Sequence, residues 1–324
     1  MNVGIAGLGH LGKIHLKLLS EIPEFKLSAI YDIDKSVMDN LIYQSNIKFC
    51  KNYNELLDNC DVVLIITPTS SHFELASEAI KKGKHVFIEK PATSNPDETK
   101  KLIRLSKEAN VKVQVGHVER FNPAFIAAKA HIEKPTYLNI ERLACYNSRG
   151  TDVSVVLDLM IHDIDLLLDV IKSNIKKISA TGSSVISKTP DFASVRIEFE
   201  NGSIANLTAN RIALNNVRKM DIFQQNSFIH IDLLNKSTII RTILPILSNV
   251  AKGIVLNPGD GQQKFEIIQN QPIITPLNAI KTELESFYKS ITQDLPLAVS
   301  LLDAEIALQV VKEIELQINS IKRP

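Results

Sequence analysis

The chain has 324 residues, enough for about two domains, with 44% hydrophobic and 23% charged residues, a balance typical of a globular protein with a sizeable core. The net charge of +1 gives no basis for binding nucleic acid or an anionic membrane surface. Without a signal pattern or an apolar run of the ~20 residues that span a membrane, a cytoplasmic protein is expected.

The first part of the chain alternates between strand-like and helix-like segments. The strands read NVGIAGLG, KLSAIYDID, DVVLIITPT, HVFIEKP and VKVQVGHV. The helices read KIHLKLLSEI, YNELLD, HFELASEAIKKG and PDETKKLIRLSKEAN. DVVLIITPT is hydrophobic without alternation, as strands buried in a parallel sheet are. The pattern predicts a doubly wound parallel sheet over residues 1–118.

After residue 118 the pattern changes to strands with alternating polar and apolar residues, interrupted by a mostly apolar helix at 155–171. TYLNIERLACY is a strand, and SVRIEFENGSIANLTANRI predicts a hairpin with its turn at Asn201–Gly202. NAIKTELESFYKSI and LLDAEIALQVVKEIELQINSI are closing helices. We therefore predict an α/β protein whose second domain, 119–324, is an α+β domain with a large, mainly antiparallel sheet.

Residues 7–12 read G-L-G-H-L-G, follow a strand and open a helix, and Asp32 ends the next strand. This context is the one a dinucleotide fingerprint requires. Gly7 permits the tight turn, Gly9 lets the pyrophosphate approach, and Gly12 allows close helix–strand packing. Asp32 can bind two ribose hydroxyls and would repel a 2′-phosphate, so NAD is favoured. The charged Asp34–Lys35 pair leaves NADP possible.

Two further loops, TPTSSH and EKP, follow strands at the sheet edge where ligands bind in such folds. Together with the glycine loop they define the candidate cofactor-binding residues Gly7, Gly9, His10, Leu11, Gly12, Asp32, Thr67, Pro68, His72, Glu89 and Lys90.

The helix at 155–171 carries a polar stripe, because Asp158, His162, Asp165 and Asp169 share one face at helical spacing. Buried charge requires a partner, so periodicity leaves three interpretations: an ordinary buried helix, a metal site or a reaction site. We expect no metal, since no His or Cys cluster lies at ligand spacing. We expect Asp165 and Asp169 to be structural.

Several motifs in order resemble the Gfo/Idh/MocA family of NAD(P)-dependent sugar oxidoreductases, over essentially the whole chain. They are GIAGLGHLGKIH, TPTSSHFELA, VFIEKPAT, VGHVERFNP, LDLMIHDID and SFYKSITQDLPLAVSLLDAEIALQVV. The resemblance implies an N-terminal Rossmann domain for NAD. It also implies a C-terminal open-sheet domain that binds substrate and forms homodimers or homotetramers through the sheet.

The resemblance also implies the catalytic residues: the family's Lys of E-K-P falls on Lys90, and its D-x-x-x-H pair on Asp158 and His162. Hydride transfer from a carbinol needs a base for the hydroxyl proton. His162 fits the base, Asp158 its orienter, and Lys90 a hydrogen-bond donor to the reacting oxygen. Which of Lys90 and His162 formally takes the proton stays open.

The lead RGTDVSVVLDLMIHDID resembles the subgroup that oxidises the C3 hydroxyl of UDP-N-acetylglucosamine. That reaction implies a PLP aminotransferase as the next enzyme, within lipopolysaccharide or lipid A biosynthesis. A substrate diphosphate calls for arginines, for which Arg142 and Arg218 are also candidates. The selected substrate-binding residues are His117, Arg120, Arg149 and Arg211.

Three other functions remain alternatives at this point. They are a dehydrogenase of another sugar or polyol such as inositol or glucose, an NAD-dependent glycosidase of the same fold, and a non-catalytic NAD sensor.

Overall fold

The computed structural model describes residues 1–39, 47–147, 150–247 and 251–320. They form two compact units: residues 1–121 with 277–309, and residues 122–276 with the chain from 310 onward. Across the described ranges, no helix is both long enough and apolar enough to cross a membrane.

The first unit is built on a parallel sheet with helices between its strands. The strands are β1 (Asn2–Ala6), β2 (Lys26–Tyr31), β3 (Lys48–Phe49), β4 (Val62–Ile65), β5 (His85–Glu89) and β6 (Val113–Gly116). The helices between them are α1 (His10–Leu19), α2 (Lys35–Asp39), α3 (Tyr53–Asp58), α4 (His72–Lys81) and α5 (Pro96–Glu108). The strand order β3-β2-β1-β4-β5-β6 is that of a Rossmann fold. The predicted doubly wound sheet is confirmed.

Both faces of this sheet are covered by apolar side chains, including some from the C-terminal part of the chain. On one face, Phe87 of β5 packs in a cluster with Leu284 and Phe287. On the other face, the neighbouring Ile88 packs in a cluster with Val299. Because successive strand residues point to opposite faces, β5 supplies both layers.

Residues 277–309 thus belong to the first unit, although the sequence prediction assigns everything after residue 118 to the second domain. This stretch contains α8 (Ala279–Thr292) and the start of α9 (Leu301–Ser320). Periodicity indicates that such helices have an apolar face, but not which sheet that face covers. The two-part division is therefore discontinuous in the sequence.

The second unit is built on a large sheet that is covered on one face. Its strands are β7 (Pro135–Cys145), β8 (Ile175–Ser183), β9 (Phe192–Phe199), β10 (Ile204–Ala213), β11 (Val217–Gln224), β12 (Ser227–Asp232), β13 (Ser237–Pro245), β14 (Ile254–Leu256) and β15 (Phe265–Asn270). Their order is β14-β15-β13-β12-β11-β7-β10-β9-β8, and β7 pairs with β10 in parallel while the other neighbours are antiparallel. The predicted, mainly antiparallel sheet is confirmed.

The segment predicted as one α-helix over 155–171 begins with a wider π-helical turn, Val156–Met160, before α7 (Ile161–Val170). The backbone N–H of Ile161 donates to the carbonyl of Val156, five residues earlier, where an α-helix uses four. The prediction that the polar residues form one stripe along a single α-helix is therefore wrong. The wide turn changes the angle around the helix axis between Asp158 and the residues after it.

Arg142 of β7 and Asp163 of α7 form a buried bidentate ion pair. Arg142 Nε lies 3.0 Å and 2.9 Å from the two carboxylate oxygens, and its Nη2 lies 2.8 Å from Oδ1. The two side chains are only 4% and 3% exposed. A buried charge is costly without its counter-charge, so this pair fixes α7 on the sheet, directly beside His162.

We predict that Arg142→Met lowers the free energy of unfolding by about 3–5 kcal/mol, because the buried Asp163 carboxylate loses its guanidinium. The double variant Arg142→Met, Asp163→Leu should recover most of this loss. Urea unfolding measures both. The matched control is Arg196→Met, which removes a half-exposed pair with Glu198 and should cost at most about 1 kcal/mol. Equal losses at Arg142 and Arg196 would contradict the role of the buried pair.

Candidate active site

A cavity of about 720 Å³ opens in the first unit where β1, β2, β4 and β5 end. It is lined by all the predicted cofactor residues except Gly12 and His72, namely Gly7, Gly9, His10, Leu11, Asp32, Thr67, Pro68, Glu89 and Lys90. The sheet topology brings these loops together, because the carboxyl ends of parallel strands meet at one edge.

The glycine loop has the shape that a bound pyrophosphate requires. Gly7 has a φ of +94°, and a Cβ there would lie 2.4 Å from the Ile66 carbonyl oxygen. A Cβ at Gly12 would lie 2.1 Å from the Gly7 carbonyl oxygen, whereas one at Gly9 would meet nothing within 4 Å. The loop is thus packed on its inner side and open at Gly9. No side chain caps α1, so its first N–H groups can bind phosphate oxygens.

Asp32 joins the glycine loop to the segment after β2. Its Oδ2 accepts a 2.6 Å hydrogen bond from the Leu8 backbone N–H, and its Oδ1 accepts one of 2.8 Å from the Asp34 N–H. The carboxylate therefore sits at the cavity wall in a fixed orientation, where its remaining lone pairs can accept ribose hydroxyls.

His72 is buried and lies outside the cavity lining, although the sequence places it among the cofactor contacts. Its Nδ1 is 2.9 Å from the Pro91 carbonyl oxygen, and its Nε2 is 2.8 Å from that of Thr67. Burial lowers the pKa of His72, and the two carbonyls offset this in part. We therefore assign His72 to holding the two cofactor loops together.

Glu89, at the end of β5, is held from two sides. Its Oε1 is 2.9 Å from Nε2 of the fully buried His15, and its Oε2 accepts a 3.1 Å hydrogen bond from the Lys90 backbone N–H. A Cβ at Gly116 would come within 3.0 Å of the same carboxylate. The carboxylate of Glu89 thus anchors the backbone that carries Lys90. The buried imidazole of His15 is part of this anchor.

Some cavity residues escaped the sequence prediction. Ile33 is 89% exposed beside Asp32, and Ser70 and Ser71 lie on the loop after β4. An apolar side chain between two aspartates just after a strand is a usable signal for Ile33. The serines lie inside the TPTSSH motif, but residue type alone does not separate them from ordinary loop serines.

In the second unit, burial divides the polar stripe. Asp158 and His162 are partly exposed, whereas Asp165 and Asp169 are buried. Asp169 pairs with Lys129, whose Nζ lies 2.6 Å from its Oδ2. The π-helical turn therefore carries the accessible part of the stripe, and the α7 end is built into the unit. Within the described residues, no three His, Cys, Asp or Glu side chains gather into a group that could hold a metal ion.

The predicted substrate residues have different surroundings. Arg120 donates to the Ala298 carbonyl at 3.0 Å, and His117 is 1% exposed. Arg211 is 4% exposed and donates to backbone carbonyls of its own unit. Arg149 lies outside the described residues. Spacing from the helix at 155–171 could not distinguish an arginine that faces solvent from one that is used inside the fold.

Comparison with known proteins identifies the family. Residues 1–117 match the profile described as "Oxidoreductase family, NAD-binding Rossmann fold", and residues 129–227 match the GFO/IDH/MocA C-terminal domain. The chain is 30% identical over 297 residues to a UDP-N-acetylglucosamine 3-dehydrogenase of Acidithiobacillus ferrooxidans, covering 91% of this chain and 90% of that one. The chain belongs to the Gfo/Idh/MocA family. It is an oxidoreductase, and its predicted cofactor, NAD, is confirmed.

Solved structures and other members of the Gfo/Idh/MocA family agree with this. A crystal structure of the Acidithiobacillus ferrooxidans enzyme aligns with a TM-score of 0.88 at 28% identity, over 99% of this chain and 98% of that one. A scyllo-inositol 2-dehydrogenase (NAD(+)) of Bacillus subtilis is 30% identical over 232 residues, 64% of this chain and 66% of the other.

We predict that Asp32→Ala raises the Kd for NAD about 10-fold or more, because charge-assisted hydrogen bonds to the ribose are lost. The affinity for NADP should fall less, so the NADP-to-NAD preference rises. Titration of both dinucleotides measures this. Asp97→Ala, at an exposed carboxylate on α5, is the matched control and should change neither value. An unchanged Kd for NAD in the Asp32 variant would contradict the ribose contact.

The pKa of His72 predicts a pH dependence of stability. Because its pKa is lower in the folded chain than its ordinary 6.5, the unfolded chain binds the proton more readily. The contribution of His72 to the free energy of unfolding is fully present above pH 6.5. It is lost as the pH falls from 6.5 towards the lowered pKa of the folded chain. His72→Gln should flatten the slope of unfolding free energy below about pH 6.5. A wild-type slope in His72→Gln would refute this assignment.

Proposed function

We propose that the protein oxidises the C3 hydroxyl of UDP-N-acetylglucosamine with NAD, yielding the 3-keto sugar. The observation that carries the proposal is the similarity to one enzyme of that activity over nine-tenths of both chains, with Lys90, Asp158 and His162 all present. The inositol dehydrogenase matches over about two thirds of each chain. Oxidation of a free sugar or polyol is therefore the second candidate.

In the proposed mechanism, NAD held by the glycine loop and Asp32 would supply the hydride acceptor, and the side chains of this chain would handle the hydroxyl proton. Asp158 orients the His162 imidazole and stabilises its protonated form. Lys90, on the loop that Glu89 anchors, donates a hydrogen bond to the reacting oxygen. The proton leaves to His162 or to Lys90.

The proposal extends to the surroundings of the reaction. The nine-stranded sheet would form the contact of a homodimer or homotetramer through its uncovered face. The keto product would pass to a PLP aminotransferase that installs a 3-amino group, in the cytoplasm and on the route to lipopolysaccharide or lipid A.

We predict that His162→Ala and Lys90→Ala each lower kcat by about 10²-fold or more, while NAD binding persists. The substitution that removes the formal base should also remove the acid limb of the pH–kcat profile. His131→Ala and Lys81→Ala, at exposed sites, are matched controls with wild-type kcat. Near-wild-type turnover in either variant at saturating substrate would contradict the role of that residue.

A substrate screen separates the candidate functions. With NAD present, UDP-N-acetylglucosamine should give NADH, and an aminotransferase should trap the 3-keto product. Free inositol or glucose should give none. Turnover of free polyols without turnover of the nucleotide sugar would favour the second candidate. Release of sugar from a glycoside without net NADH would indicate the glycosidase instead.

A further inference from the structure

The loop before the π-helical turn lies against the Asp158 carboxylate. Gly150 has a φ of +76°, and a Cβ there would come within 3.1 Å of Asp158 Oδ2 and 3.5 Å of its Cγ. No side chain other than hydrogen fits this contact without displacement. The position of Gly150 therefore sets the space available to the carboxylate.

Arg211 of β10 holds both ends of this loop. Its Nη1 donates to the Gly150 carbonyl at 2.9 Å, and its Nη2 donates to the Val153 carbonyl at 2.7 Å. The side chain is 5% exposed. The guanidinium presents these two donors in fixed directions from separate nitrogens, whereas a lysine ammonium offers all its donors from one atom.

A buried guanidinium needs a counter-charge, and Asp191 supplies it. Asp191 is fully buried, and its Oδ1 lies 3.8 Å from Arg211 Nε. Its Oδ2 accepts backbone N–H bonds of 2.8–2.9 Å from residues 185–187. Burial raises the pKa of Asp191, but these hydrogen bonds outweigh burial and hold the pKa well below its ordinary value. The carboxylate is therefore charged and fixed.

Thr189 adds a second attachment to the same loop. Its hydroxyl oxygen is 2.9 Å from the Val153 carbonyl and 3.0 Å from that of Thr151. The Val155 N–H donates to the Pro190 carbonyl at 2.9 Å. Residues 150–155 are thus tied to segment 189–191 and to β10.

We propose that Arg211 is a positioning residue for Asp158, acting through Gly150, with Asp191 and Thr189 completing the support. This inference rests on the proposed function, in which Asp158 orients His162. It replaces the expectation that Arg211 binds the substrate diphosphate, because both terminal nitrogens of its guanidinium already donate to carbonyls of this loop.

The test is the kinetics of Arg211→Lys in the full-length enzyme with NAD and UDP-N-acetylglucosamine. We expect kcat to fall by about 10- to 10²-fold with the KM for the sugar nearly unchanged, because misplacement costs rate rather than ground-state binding. Arg104→Lys, at an exposed site on α5, is the matched control. A raised KM with unchanged kcat would mean that Arg211 contacts substrate, and would overturn the proposal.

A double-mutant cycle tests the route through Asp158. In an Asp158→Asn background, Arg211→Lys should have little further effect on kcat. Independent, multiplying effects would overturn the proposal. Thr189→Val, nearly isosteric, is the milder variant should Arg211→Lys fail to fold, and should lower kcat in the same direction. A wild-type kcat in Thr189→Val would then count against the proposal.

Hydrogen exchange separates this inference from the proposed function. If the wild-type protein gives no NADH with UDP-N-acetylglucosamine, the proposed function has failed, and exchange alone then decides the positioning link; if Asp158→Asn retains wild-type kcat, only the orienting role of Asp158 has failed. Faster exchange confined to amides 150–158 in Arg211→Lys would support it. Wild-type protection there would overturn it.

Discussion

The ion pair between Arg142 and Asp163 is the interaction on which the candidate reaction site depends. It is buried and bidentate, and it ties α7 to β7 at the residue next to His162. Once α7 is fixed, the preceding π-helical turn determines where Asp158 can lie. The buried ion pair thus fixes the backbone that carries the partly exposed Asp158 and His162.

In the cofactor cavity, too, buried polar contacts hold the loops in place and leave other groups open to a ligand. Within the glycine loop, Gly7 and Gly12 are confined by neighbouring backbone, whereas Gly9 faces open space. Buried His15 and His72 hold the loops on which Lys90 and Thr67 lie. A rigid frame of buried polar contacts therefore presents an open surface of backbone N–H groups and carboxylate oxygens, as a dinucleotide requires.

Sequence patterns predicted the features that follow from local periodicity or from the position of a residue at the end of a strand. The parallel sheet, the glycine loop and the place of Asp32 follow from such patterns. The contacts of His72 and Arg211 with backbone carbonyls do not, because the sequence does not distinguish a histidine or arginine that faces a cavity from one that faces a buried carbonyl. The π-helical turn also escaped prediction, since a five-residue hydrogen-bond spacing leaves no mark in residue types. The placement of 277–309 depends on packing across the sequence.

The proposed function requires the C3 hydrogen of the sugar to leave as hydride to NAD. In the most direct test, the full-length protein is incubated with NAD and with UDP-N-acetylglucosamine that is deuterated at C3. Mass spectrometry then measures the deuterium content of the reduced cofactor. We expect NADH that carries one deuterium at the nicotinamide C4. NADH without deuterium, or no reduction of NAD with this substrate, would contradict it.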